Sequence, residues 1–235
     1  MKRIYFFLTL LLLAATPAML TSCDDDPWDD RPWYDDYYGD WYDRYDWYNK
    51  PFDYGKNDLV SMAQTLNGTW QGALVNEYTD DSGHRVQTRF NVEFTFAQYT
   101  TKSNNGSGYE TDYDNDGNEQ TLRFKWYIDP RTYNIYIEYA SGMQYILDAN
   151  GKSDTSGFFL GWDSKERKDL FNGVMEGTNN DELVFFDCER VTSGSRALGI
   201  GGTTANTATP SGLSFGKANG MKRVDNNVPM ALRRR

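Results

Sequence analysis

Two cysteines and a single histidine in 235 residues leave little from which to build a thiol, imidazole or metal centre. Cys23 and Cys188 are too few for a disulfide framework and lack the close paired spacing of a zinc site. Positive charge is also short, with 24 Lys and Arg against 34 Asp and Glu, a formal charge of −10 that argues against nucleic acid as a partner. Long oily runs are missing as well. Aromatic residues make up 16% of the chain, yet mean hydropathy is −0.74, so the rings sit among charges and glycines and a polytopic membrane protein is excluded.

Catalytic sets are equally scarce. His84 follows a Ser-Gly turn and is expected to be exposed, with no Ser/His/Asp or Cys/His set to place around it. No glycine-rich phosphate loop opens a helix, and the paired acids Asp80-Asp81 sit in a turn. Cys188 reads as a small buried hydrophobe on a strand. The chain is therefore expected to be non-catalytic and to need no cofactor.

What is present begins with an address. Lys2-Arg3 precede Ile4–Ala15, an apolar run of about 12 residues, the length of a signal-peptide core and too short for the ~20 residues of a membrane span. Leu20-Thr21-Ser22-Cys23 then resembles the lipobox of bacterial lipoproteins. That resemblance implies that residues 1–22 are removed, that Cys23 becomes the acylated first residue, and that its acyl chains hold the protein to a membrane. Asp24-Asp25-Asp26 resembles the acidic export signal of Bacteroidetes-type lipoproteins, which implies the outer face of the outer membrane. A solvated acidic spacer is the plainer reading of the same residues.

Residues 23–57 then repeat a few letters: Trp33-Tyr34-Asp35-Asp36, Trp41-Tyr42-Asp43, Trp47-Tyr48-Asn49. Twelve Asp and four basic residues lie within 24–58, with no period that would build one buried face, so this stretch reads as a tether without a fold of its own. Aromatic rings beside carboxylates also suit stacking on glycan sugars. Residues 193–235 are Gly-, Ser- and Thr-rich and end in Arg233-Arg234-Arg235, with seven basic residues against Asp225, and read as a disordered basic tail. Such a tail suits contact with the acidic tether, lipid phosphates or nothing specific.

Residues 58–192 remain for a folded core. Val86 to Phe96 alternates strictly between apolar and polar, and Leu122–Ile128 and Tyr133–Tyr139 repeat the pattern. Turn signals at Ser82-Gly83, Asp129-Pro130, Ser141-Gly142, Asn150-Gly151 and Asn179-Asn180 separate eight expected strands, near 69–76, 86–97, 120–128, 133–139, 143–148, 156–162, 168–175 and 182–191. Hairpin-linked strands of this number form an antiparallel barrel or a sandwich, and closure without exposed edges favours the up-and-down barrel. One short helix, with Asp58 as its cap and Asn67-Gly68 as its stop, precedes the first strand.

That helix followed by Gly68-Thr69-Trp70 resembles the lipocalins and the wider calycin superfamily. The resemblance implies that Trp70 plugs one end of the barrel and that a basic residue of the last strand, here Arg190, lies across its ring. Neither residue would catalyse anything. Phe90, Phe94, Phe96, Phe124 and Trp126 are the candidate wall of a ligand cavity, although their bulk favours a filled interior. Asp112-x-Asp114-x-Asp116-Gly117 has the spacing of a calcium loop, but the twelfth position is Arg123, and an Asp-Gly hairpin turn explains it more simply. Thr111-Asp112-Tyr113 is expected in a polar loop. The functional expectation is a membrane-anchored binding lipoprotein for a small apolar ligand or a partner protein, the alternative being an interaction protein of a cell-envelope complex with a filled barrel or a glycan-contacting surface protein.

Overall fold

Alternation buries one face of each strand, and the register identifies that face as the lining of a barrel. The computed structural model describes residues 47–151, 155–192 and 213–217, together with Pro229. A single helix among them, α1 (Asn57–Leu66), precedes ten strands: β1 (Gly68–Thr79), β2 (Arg85–Gln98), β3 (Asn105–Tyr113), β4 (Glu119–Ile128), β5 (Ile135–Tyr139), β6 (Gln144–Leu147), β7 (Phe158–Asp163), β8 (Lys168–Gly177), β9 (Leu183–Arg190) and β10 (Ser214–Phe215). Strands β1 to β6 form an antiparallel meander, β6 pairs with β8, β8 with β9, and β9 returns to β1. The result is a closed eight-stranded antiparallel barrel with no helix among the described residues of the meander, the fold expected from the strand pattern. Strand β7 lies on the same edge of β8 as β6, pairing lower down, from Phe158 opposite Gly173 to Asp163 opposite Lys168.

Lumen-facing residues include Trp70, Leu74, Phe90, Val92, Phe94, Phe96, Phe124, Trp126, Phe171 and Phe186, all nearly inaccessible to water. Aromatic rings bridge the lumen, with Phe96 of β2 5.8 Å from Phe171 of β8 and Phe94 6.2 Å from Phe186 of β9. Burial of each such ring stabilises the fold by roughly 1.5–3 kcal/mol, with T-shaped contacts adding about 0.5–1.5 kcal/mol. A smaller apolar cluster of Val75, Val174 and Phe185 lies on the opposite faces of β1, β8 and β9.

All eight expected strands are present, but the membership of the barrel differs. Strand β3 takes the place that sequence alternation did not suggest, and Thr111-Asp112-Tyr113 therefore lies in a strand rather than a loop. Its glycines explain the missing signal: Gly106 and Gly108 stand opposite Trp126 and Phe124, and a Cβ on Gly108 would lie 2.4 Å from the Phe124 ring and from the Thr95 carbonyl oxygen. The rings of β4 occupy the space that side chains of β3 would need.

Three terminal details also differ. The helix begins one residue before Asp58, whose Oδ1 accepts the Leu59 N–H at 3.0 Å, and no side chain caps it at Lys56. The last aromatic repeat of the tether belongs to the fold: Trp47 is buried against Phe52 and Tyr127, with ring centroids 5.1 and 5.0 Å away, and Tyr48 meets Tyr127 at 4.8 Å. Tyr127 supplies the outward aromatic face on which those rings desolvate. Within the basic tail, Ser214-Phe215 form β10 on the free edge of β7. The signal sequence, Cys23, Asp24, Asp25, Asp26, the first two aromatic repeats and Arg233-Arg234-Arg235 lie outside the described residues.

Candidate functional site

The two ends of the lumen are chemically opposite. At one end, Trp70 opens β1 directly opposite Arg190, the last residue of β9, and the Arg190 guanidinium lies 4.1 Å from the indole centroid. Arg190 donates from Nε to Asp169 at 2.9 Å and from Nη1 to the Asn67 carbonyl at 2.9 Å, while Nη2 reaches the Thr65 carbonyl. Trp70 donates its indole N–H to the Leu66 carbonyl at 2.8 Å. One arginine thus donates to the unfilled carbonyls at the end of α1 and pairs with a buried carboxylate. Burial pulls the guanidinium below its usual pKa while Asp169 acts in the opposite sense. Gly68 has φ +126°, a backbone conformation that favours glycine, and a Cβ there would also stand 2.8 Å from Arg190 Nη1, so a larger residue two positions before the tryptophan would be strained and would press on the arginine. Gly68, Trp70 and Arg190 are therefore brought together, and this end of the barrel is sealed by helix, indole and guanidinium.

Phe94, Phe96, Phe124 and Trp126 fill the space above that seal with edge-to-face and tilted ring contacts, including 5.1 Å between Phe96 and Phe124 and 6.0 Å between Phe96 and Trp126. They and Phe90 are completely or almost completely buried. This half of the lumen is packed by its own side chains.

Polar side chains also face the lumen, beginning beside these rings. Glu110 and Asp112 of β3 alternate with outward-facing neighbours and stand beside Phe94 and Val92, which places both carboxylates on the lumen side, and both are wholly buried. Glu110 accepts the Tyr139 hydroxyl, Asp112 accepts the Gln120 amide at 2.9 Å, and Glu182 accepts the Tyr145 hydroxyl at 2.5 Å. Asn76 lies six residues along β1 from Trp70, roughly 20 Å at ~3.3 Å per residue, and is also wholly buried. Among the described residues neither polar atom of its side-chain amide has a hydrogen-bond partner, and the Thr88 hydroxyl opposite it has none either. No sequence signal marked Asn76, Glu110 or Gln120, because a polar residue on a strand ordinarily faces water.

The other candidates separate. Asp114 and Asp116 lie in the β3–β4 hairpin, where Asp114 Oδ1 accepts the Asp116 and Asn118 N–H groups at 2.9 and 2.8 Å, while Asp112 points into the barrel. Those backbone and side-chain bonds, with the Asn118 amide foremost, hold the Asp114 carboxyl below the usual range. Among the described residues no three His, Cys, Asp or Glu side chains gather as metal ligands. His84 is exposed, 3.9 Å from Asp80. Cys188 lies in the lumen, where burial, with Asp187 and Glu110 adding to it, pushes its thiol well above the usual value. No helix among the described residues is long and apolar enough to cross a membrane. No protein-family model matches the chain, and no curated protein matches it in sequence.

Proposed function

We propose that this chain is a lipid-anchored surface protein of the Bacteroidetes lipoprotein type whose lipocalin-like barrel binds a ligand or partner without catalysing a reaction. The observation that carries the reading is the asymmetry of the lumen: one end sealed by α1, Trp70 and Arg190, the other lined by buried polar side chains. A closed barrel of eight strands has room for one small ligand where its own side chains do not fill it. The lipobox-like Leu20–Cys23 and the acidic run behind it supply the anchoring part of the reading.

Native mass spectrometry of the mature protein, released in detergent from its host membrane, tests both parts. The expected spectrum carries acyl chains on Cys23 and an additional small-molecule mass that leaves on denaturation. A Cys23 without acyl chains overturns the anchor. A bare barrel, or one associated only with a second protein, overturns ligand carriage. A protein-associated barrel would instead support the partner reading, with which the aromatic packing of the sealed half is compatible, since a filled barrel binds through its exterior.

A further inference from the structure

Strand β10 is only two residues long, yet three glycines make room for the segment that contains it. A Cβ on Gly161 of β7 would stand 2.1 Å from the Leu213 carbonyl oxygen, and Cβ atoms on Gly151 and Gly157 would stand 2.5 and 2.7 Å from that of Lys217. Glycine within or beside a strand marks the close approach of another backbone, so these positions define a track for an extended segment along the outer edge of β7. The segment lying in that track shows what it accepts. Phe215 packs on the core, and Gly216 follows it with φ +79° where a Cβ would lie 2.3 Å from the Phe158 carbonyl oxygen. An aromatic residue followed by glycine is thus what the track fits, while the backbone is held by pairing with Leu160 and Gly161 and by the Trp162 N–H. The hold is slight: Leu213, Ser214, Gly216 and Lys217 are exposed, and β10 pairs with two of the six residues of β7. Residues 193–212, rich in Gly, Ser and Thr, join the segment to the end of β9. A segment linked in this way competes with an incoming strand at an effective concentration on the order of mM, which a strand pairing with more of β7 can overcome.

We propose that the outer edge of β7 is a docking site for an extended segment of a partner protein that carries an aromatic-glycine pair, and that residues 213–217 are the chain's own occupant of that site, displaced when the partner strand adds to the sheet. Main-chain bonds along β7 supply the affinity, and the place taken by Phe215 and Gly216 supplies the specificity. Closure of the eight barrel strands leaves this edge outside the ring. The site is therefore distinct from the lumen and stands whether or not the barrel carries a small ligand.

A fluorescent peptide with the sequence of residues 209–219, Thr-Pro-Ser-Gly-Leu-Ser-Phe-Gly-Lys-Ala-Asn, titrated against the mature protein by anisotropy, tests the site. Phe215→Ala in the protein loosens the resident segment and is expected to tighten peptide binding at least tenfold over wild type. Gly216→Val takes its place should that variant lose the circular dichroism spectrum of the wild type. The same Phe215→Ala change made in the peptide is expected to abolish binding, and benzoylphenylalanine at that place in the peptide is expected to cross-link to β7. No binding to either protein, equal binding to wild type and the loosened variant, or cross-links confined to other strands overturns the proposal and leaves β10 as a fixed cover of the edge. Sedimentation velocity of the wild type tests the remaining occupant, with a monomer expected. A dimer that Gly161→Val dissolves would mean that a second copy exchanges its own 213–217 segment, and would overturn the foreign partner.

Discussion

Arg190 does at residue scale what a longer hydrophobic plug would do less specifically. Its side chain and that of Asp169 are each only 6% exposed, so the ion pair sits where losing one partner leaves an uncompensated charge. Asp169→Asn is expected to destabilise the protein by about 3–5 kcal/mol, read as the midpoint of urea unfolding at constant slope. A loss below 1 kcal/mol would mean that the carbonyls of Thr65 and Asn67 hold the guanidinium without it. Glu176 is a contrasting case, because burial, with the charge of Asp148 adding to it, raises its carboxyl above the ordinary glutamate range. A folded pKa above the unfolded one means that ionisation costs stability, and the cost appears as pH rises past the unfolded value of ~4.3 and through the folded value. Glu176→Gln is therefore expected to raise the melting temperature at neutral pH and to leave it unchanged at pH 3, a difference visible in paired thermal scans. An equal gain at both pH values would trace the effect to packing.

Element-scale behaviour turns on β3. A strand reading Asn-Gly-Ser-Gly-Tyr-Glu-Thr-Asp-Tyr offers one branched side chain, Thr111, and no apolar face, and it holds its place through the ladder to β2 and β4 and through the rings that lie over its glycines. Gly108→Ala would drive a Cβ into the Phe124 ring and the Thr95 carbonyl, and the expected loss is about 1–3 kcal/mol of unfolding free energy. Amide exchange should then quicken in β3 and β4 ahead of β8 and β9. Uniform quickening would show that the barrel opens only as a whole. Strands β2, β4 and β5 were legible from alternation because each has one wet and one oily face, whereas β3 presents glycine and buried acid to the interior and cannot be recognised by the same rule.

For the whole molecule, closure leaves one irregular place. Strands β6 and β7 share the edge of β8, and the outer edge of β7 is taken by Ser214-Phe215, with the Trp162 N–H donating to the Leu213 carbonyl at 3.1 Å and Phe215 packing on the core. An uncovered strand edge invites pairing with another chain. A protein ending at Thr192 is expected to melt several degrees lower and to self-associate with rising concentration in sedimentation velocity. A monomer of unchanged stability would make β10 dispensable.

The alternating strands, their turns, the short helix and the tryptophan at the mouth of β1 were all determined by local sequence, since period-two burial, turn chemistry and the spacing of one apolar helix face act over a few neighbours. Which eight strands close the barrel, that Asp112 and Glu110 face inward, that Asn76 is buried with no hydrogen-bond partner among the described residues, that Trp47 packs outside the barrel on Tyr127 and that Phe215 joins the core were decided only by tertiary structure. Each of these depends on what a distant strand places opposite, and a residue's own polarity carries no record of its neighbour across a barrel.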